Sequence, residues 1–453
     1  MLVRNSIINF IGTLLSLIMG LIAIPIVFKF LGSENFSIIS IYLTFIAVGN
    51  IADFGVGKAL IKKIKSSKSL IDKKKYFTSG ILFCVIISLI YVFISLSFVH
   101  FLNFSENYIP IILKLSIFLL PVLIFTIYFK AILELKNDFL KINLIRLTFN
   151  FLLFSSIILN AYLRVDIIQI LIWINLIKLG HLGITFIFSK SDFFKFSFSK
   201  YFFYDLFKSS TQLGLLNIIG TIIGYVDRFI LPFILSTSLI APYYLVNDIS
   251  TKLWLVPGAI FSALFPSLVK SPSDFANIQF LRKIGFVLII SFFPAVILVS
   301  FFSNEIIELL SSGIAHEHVS NYLKITFIGV LISCFNQINS NVLIAFNEEK
   351  IMIKIQLILF LLYLPIFYFT TLNMGLLGAC WVFSIRLLID SILFGFIAFK
   401  YTGYYFTREL IFIISSIFLV ILNHLVDNSM LHYFLLFFII TVLYNFYRRQ
   451  KIW

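Results

Sequence analysis

Residues 217–266 read NIIGTIIGYVDRFILPFILSTSLIAPYYLVNDISTKLWLVPGAIFSALFP. Two apolar runs, each long enough to cross a bilayer, flank a short polar break and carry Asp227, Arg228, Asp248 and Lys252 inside them. An isolated charge at the bilayer centre costs roughly 2.5–3.5 kcal/mol even on the lenient insertion scale. Charges placed there need water or a partner. The expectation is a helix pair lining a water-filled route through a membrane transporter.

Composition agrees with that class. Of 453 residues, 60% are hydrophobic and only 12% charged, where soluble domains are about a quarter charged. At about 20 apolar residues per crossing, the length holds about fourteen spans and leaves no room for a separate soluble domain. The predicted fold class is therefore all-α integral membrane. Cys84, Cys334 and Cys380 all fall in apolar runs, without a CxxC pair, so neither a disulfide framework nor a zinc site is indicated. The net charge of +15 does not point to nucleic acid, because the lysines and arginines collect in alternate loops as the positive-inside rule describes.

Outward from the opening stretch, a first span over residues 6–31 contains Pro25, and a second over 36–57 follows the turn LGSEN and ends in Asp53-Phe54-Gly55. No cleavable signal peptide is indicated, since the apolar core is too long and lacks a small-residue cleavage site. Eight lysines between Lys58 and Lys75 mark a cytoplasmic loop at anionic headgroups. Spans three to six cover about 79–102, 109–133, 142–163 and 167–188. The aromatic and basic segment Lys190–Ser210 is too polar to cross and is expected to lie at the interface, rings at headgroup depth and lysines towards phosphates. Beyond the central pair, spans nine to twelve cover 284–302, 322–346, 351–372 and 375–399, the last two meeting at the turn NMG. A final hairpin, 411–425 and 431–447, ends in a basic tail. His316-Glu317-His318 lacks the histidine spacing of a zinc protease helix. With both termini in the cytoplasm, the basic loops fall on one side and Arg164 on the other.

A repeat relates the halves. Ile8-Asn9-Phe10-Ile11-Gly12-Thr13 in span one matches Leu216-Asn217-Ile218-Ile219-Gly220-Thr221 in span seven. The copies are six spans apart in the count, an even offset that gives both the same orientation, a parallel repeat about the membrane normal. Asn217, Thr221, Gly224 and Arg228 share one helix face, as do Asn9, Thr13, Ser16 and Gly20. Only the second stripe ends in a cation. The competing explanation for Gly12, Gly220 and Gly224 is close helix packing. The expected organisation is an N-terminal lobe 1–189, an interfacial connector 190–212, a C-terminal lobe 213–400, and a hairpin with basic tail 401–453.

Other intramembrane polar groups extend the pattern. Asp248 with Lys252, and Arg386 with Asp390, are one turn apart and able to neutralise each other. Span five presents Asn143, Arg146 and Asn150; span six carries Lys178 and His181; span ten offers Ser333, Asn336, Gln337 and Ser340. Together they suggest a hydrated, basic cavity suited to an anionic headgroup. Tyr243, Tyr244, Trp254 and Trp381 offer ring faces to sugars, with packing or interface roles as the alternative.

Several segments carry a resemblance: Pro25 with LGSENF, Asp53-Phe54-Gly55 before the basic loop, Asp227-Arg228-Phe229, YYLVNDISTKLWLVPGAIFSALFPSL in span eight, and GLLGACWVFSIRLLID in span twelve. The chain resembles the Wzx-type O-antigen and polysaccharide flippases, in the superfamily that also holds multidrug-and-toxin extruders and the murein-precursor flippase. The resemblance implies two pseudo-symmetric six-helix lobes around a central cavity, alternating access, translocation of an undecaprenyl-pyrophosphate-linked oligosaccharide (an O-antigen or capsule repeat unit), and a bacterial inner membrane. Polysaccharide polymerase and chain-length proteins are partners in that setting; nucleic acid is not. Ser37 stands where the family usually has Gly, and the last hairpin gives fourteen spans where many members have twelve.

On this reading the chain is a flippase and not an enzyme. Arg146, Lys178, Arg228, Lys252, Arg386 and Asn217 are its substrate-binding candidates. Asp53, Asp227, Asp248 and Asp390 are candidates for coupling to a proton or sodium gradient or for charge pairing, and no cofactor or metal is expected. The rivals are a cation-driven drug exporter of the same superfamily, whose cavity should favour carboxylates, and a membrane polysaccharide polymerase or ligase, which should need a larger extracytoplasmic loop than residues 304–320.

Overall fold

A computed structural model describes residues 2–49, 55–67, 69–101, 108–136, 138–190, 197–258, 260–261, 278–311, 318–346, 348–403 and 407–425. Every regular element among them is a helix: α1 (Leu2–Gly49), α2 (Val56–Ser66), α3 (Leu70–Phe101), α4 (Tyr108–Leu135), α5 (Phe139–Tyr162), α6 (Ile167–Ser189), α7 (Lys200–Ile230), α8 (Thr237–Thr251), α9 (Ile278–Ser311), α10 (Val319–Ala345), α11 (Glu349–Thr402) and α12 (Thr407–Leu425). Eight of the described helices are long and apolar enough to cross a membrane, and the chain is a multi-pass membrane protein. Span fourteen and the basic tail lie outside the described residues.

Two helices are far longer than a bilayer. α1 has 48 residues, about 72 Å at 1.5 Å per residue, and α11 has 54, about 81 Å, against a hydrocarbon core of about 30 Å. Each is broken by a glycine in the left-handed region, Gly32 at φ +73° and Gly375 at φ +61°, a conformation that L side chains resist. The breaks fall in LGSEN and NMG, so each long element is two spans, as expected.

Prolines set the finer breaks. Pro232 and Pro257 lack the N–H that would reach the carbonyl four residues back. Around Pro232 the chain tightens into a 3₁₀ turn over Leu231–Phe233. Upstream of Pro257, Lys252–Trp254 form another. Span eight is thus α8 followed by a 3₁₀ turn.

The described residues group into two compact units, Met1–Leu245 with Leu310–Ser312 and Glu348–Ala379, and Val246–Leu309 with Gly313–Asn347 and Cys380–Trp453. These limits differ from the expected lobes, which stay an expectation. One difference has a clear local cause. The second part of the connector is the first turns of α7, continuous with span seven, and it is fastened to the first unit. The Ser197 N–H donates to Thr78 Oγ1 at 3.0 Å, Phe202 meets Tyr76 edge-on with centroids 4.7 Å apart, and Phe83 sits between Phe203 and Phe207. Lys63 Nζ pairs with Asp205 Oδ1 at 2.6 Å, and the Tyr76 hydroxyl donates to Asp205 Oδ2 at 2.6 Å. α2 turns Val56, Ala59, Leu60 and Ile64 into the same core and leaves Lys62 and Lys65 exposed.

Close packing explains one glycine of the repeat and not its counterpart. A Cβ on Gly12 would press on the Asn143 amide and lie 2.9 Å from Arg146 Nη2, so a larger residue there has to displace the Asn143–Arg146 pair of α5. At Gly220 the nearest atom would be Gln356 Oε1 at 3.8 Å, an ordinary contact, and at Gly224 nothing lies within 4 Å.

Gly12→Ala is therefore expected to lower the thermal unfolding transition in detergent, by the 1–3 kcal/mol typical of overpacking, whereas Gly224→Ala should leave it unchanged or raise it slightly. Equal transitions for the two variants would contradict the packing account. A second expectation concerns Asp205. Burial opposes its charge, but the hydrogen bonds from Lys63 and Tyr76 outweigh burial and hold the carboxyl below its ordinary value. A depressed folded-state value stabilises above the ordinary carboxylate range and is lost as pH falls through it. Asp205→Asn should lower the transition at pH 7, with the gap to the native protein closing as pH drops below about 4.

Candidate functional site

Arg228 and Asp227 lie at the C-terminal end of α7, in the first unit, and are held from several sides. Pro232 leaves the Arg228 carbonyl without its helical donor, and the Tyr244 hydroxyl fills the vacancy at 2.7 Å. One helical turn of α8 thereby becomes part of the α7 terminus. The Tyr243 hydroxyl donates to Asp227 Oδ2. The Arg228 guanidinium donates from Nη1 to Thr44 Oγ1 at 3.2 Å, and Thr44 passes its own proton to the Ser40 carbonyl at 2.8 Å. The rings of Tyr225 and Tyr244 lie 5.6 and 5.9 Å from the guanidinium carbon, within cation–π range. Phe45 and Phe229 close the contact edge-on.

This placement departs from the expected water-facing cation. Arg228 is 3% exposed and Asp227 fully buried. Tyr243 and Tyr244, offered above as sugar platforms, are 0% exposed, because their hydroxyls are drawn inward by the freed carbonyl and the carboxylate. Of the two tryptophans, Trp381 is exposed and Trp254 partly buried.

A second group in the same unit is basic. Arg146, on α5, donates to Asn143 Oδ1, and Asn143 Nδ2 binds the Phe139 carbonyl at 2.7 Å, the arrangement that Gly12 accommodates. On α6 the buried face runs through Ile170, Ile174 and Lys178. His181 stacks on Phe149 of α5 at 4.8 Å. Lys178 is only 7% exposed and meets no acid among the described residues. The charges acting on His181 are Lys178 and Lys130, and Lys130 has Glu134 at 3.5 Å.

In the second unit, Arg386 is buried with its guanidinium 5.2 Å from the Phe383 ring. Asp390, one turn on, feels that charge, and its buried Oδ1 has no hydrogen-bond partner among the described residues. Asp248 and Lys252 are half-buried at the end of α8 and in the following 3₁₀ turn, each engaged within the protein. Much of span ten's polarity is spent locally: Ser340 donates to the Asn336 carbonyl at 3.1 Å and Asn341 to that of Gln337 at 2.6 Å, while Asn339 Nδ2 binds Asn336 Oδ1 at 3.2 Å. Asp53, His316, Glu317 and the Asn217 side chain lie outside the described residues.

Sequence reasoning missed three groups. Thr44, Arg228's partner, is one hydroxyl in an apolar run. The Lys63–Asp205 pair joins positions 142 apart in sequence. Glu409, in the first turn of α12, is 2% exposed against Gly285, where a Cβ would lie 2.8 Å from its carboxyl carbon. A glutamate just before span thirteen was the available signal for the last.

Comparison with known proteins follows this geometry. Residues 2–271 match the family described as "Polysaccharide biosynthesis protein". A putative O-antigen transporter of Shigella flexneri is 24% identical over 419 residues, covering 86% of this chain and 96% of that one. Among solved structures, the lipid II flippase MurJ in an inward closed conformation superposes with a TM-score of 0.74 at 18% identity, covering 99% of this chain and 100% of that one. An inward-facing multidrug resistance MATE family transporter of the MOP superfamily gives 0.65 at 13% identity, covering 90% and 98%. A MOP superfamily transporter from Pyrococcus furiosus, described by the reverse polarity of its binding pocket, gives 0.59 at 12%, covering 91% and 96%. With more than half its length matched and a MurJ- and MATE-like transporter fold throughout, the chain belongs to the polysaccharide biosynthesis protein family.

Proposed function

We propose that this protein is a flippase that carries an undecaprenyl-pyrophosphate-linked oligosaccharide, an O-antigen or capsule repeat unit, across the bacterial cytoplasmic membrane by alternating access, with both termini in the cytoplasm. The observation that carries the reading is Lys178: a cation buried within a membrane-spanning bundle, with His181 one turn away on the same helix and no acid facing it among the described residues. An ammonium left in apolar surroundings is costly, and an anionic oxygen of a diphosphate or acidic sugar supplies the missing charge-assisted hydrogen bonds. Lys252 and Arg386, both in the second unit, are candidates of the same sign within that unit. The relative from Shigella flexneri named as an O-antigen transporter supports the substrate class.

The fold likeness to MATE transporters favours a second reading, a cation-coupled exporter of small molecules. Within this fold, reversed pocket polarity has been tied to a different function in the Pyrococcus furiosus protein, so the sign of the pocket discriminates. Basic groups favour the flippase. Among the described carboxylates, Asp390 is one that fits ion coupling, its buried Oδ1 having no hydrogen-bond partner among the described residues. Polymerase and chain-length proteins are the partners this role implies.

In a strain lacking the gene, the native protein should restore surface polysaccharide, and Lys178→Gln or Arg386→Gln should cut it roughly tenfold, the effect of losing about 1.4 kcal/mol, while lipid-linked units accumulate on the cytoplasmic side. Full display by both variants would sink the anion-binding assignment. Altered drug sensitivity with normal polysaccharide would favour the exporter. Arg228 is expected to behave differently: Arg228→Ala should reduce the thermal transition and the amount of inserted protein, since a charged hydrogen bond is worth about 1.5–3 kcal/mol, and Arg228→Lys should recover only part, lacking the planar stacking group. A fully stable Arg228→Ala protein that fails to transport would return Arg228 to the transport route.

A further inference from the structure

We propose that the basic end of the first unit carries a binding site for anionic phospholipid headgroups, formed by α2 and the first three turns of α7. The inference goes beyond the flippase reading and does not depend on it. α7 has 31 residues, about 46 Å, against a hydrocarbon core of about 30 Å. About ten residues must therefore project, and Lys200, Asp205 and Lys208 mark the N-terminal turns as the projecting end.

Those turns have two distinct faces. Phe202, Phe203 and Leu206 are turned onto α2 and α3, and Phe207 reaches Phe83 with its edge, while Phe198, Tyr201 and Tyr204, three residues apart in succession, point away. Tyr201 is 72% and Tyr204 68% exposed. The Lys63–Asp205 pair at 2.6 Å clamps α2 beside this stripe, so the exposed Lys62 and Lys65 flank the rings on one side, with Lys200 and Lys208 along α7 itself. Asp205, the carboxylate within the group, is occupied by Lys63 and Tyr76, and Asp72 stands at the start of α3. The result is a ring-lined surface bordered by ammonium groups at the level where a helix leaves the bilayer.

That combination selects an anionic lipid over other occupants. Tyrosine rings settle at the membrane–water interface, and lysines near an anionic leaflet are attracted within a Debye length. A soluble partner would have to displace the headgroups that α7's length brings to this depth.

The test uses the full chain in nanodiscs. Phosphatidylglycerol should raise the thermal transition by about 3–5 °C over phosphatidylcholine, an increment consistent with ligand binding to the folded state. Lys62→Gln/Lys65→Gln/Lys200→Gln/Lys208→Gln should lose that increment while matching the native transition in phosphatidylcholine; if it fails to accumulate, the two paired variants should each lose about half. Inorganic phosphate added to phosphatidylcholine discs should not reproduce the effect. Equal increments in native and variant proteins, or full stabilisation by phosphate alone, would overturn the proposal. A fluorophore on Tyr204→Cys should be quenched by spin-labelled headgroups, and an unquenched label would also overturn it.

Discussion

A charge carried into an apolar helix has to be met by something, and the architecture around residue 228 follows from that need. The chain removes one backbone donor with Pro232, fills the gap with a tyrosine hydroxyl from α8, and so positions the rings that lie near the guanidinium. Thr44 then completes the arginine's contacts from α1. Helix termination, helix–helix adhesion and charge burial are here a single event. These groups depend on one another: the proline without Tyr244 strands a carbonyl, and the arginine without Thr44 loses a hydrogen bond.

The basic group around Lys178 shows the opposite solution. Its surroundings are apolar on the α6 face and like-charged along the helix, and the protein supplies no acid to it among the described residues. The first unit therefore holds one charge tied to a threonine and two tyrosines and another, Lys178, that meets no acid among the described residues. In the second unit Arg386 leans on Phe383 while Asp390 keeps an open oxygen, so both signs remain represented near the middle of α11.

Spans and their breaks were legible because hydropathy and glycine act locally: LGSEN and NMG predict turns, and Gly32 and Gly375 adopt them. Buried charges could be found by position in the chain but not sorted by role. Arg228 and Lys178 look alike as cations in apolar runs, and what separates them is a threonine 184 positions away in one case and the lack of any acid in the other. The repeat misled in the same way. Gly12 and Gly220 occupy matching places, yet only Gly12 faces a bulky neighbour, since the Asn143 and Arg146 that crowd it lie on another helix. The connector was recognisable as interfacial from its composition, but its continuity with span seven depends on aromatic packing against Phe83 and Tyr76 that no local pattern specifies.

That continuity makes α7 a lever. One continuous helix of about 46 Å runs from the lysine-rich surface to the buried arginine without a proline along its length. A change in bilayer thickness that tilts such a helix by roughly 10° moves its far end by about 8 Å, well beyond the reach of a hydrogen bond, and mismatch is commonly accommodated by tilt. The Arg228–Thr44 contact is consequently tied to the mechanical state of the membrane as much as to its own chemistry.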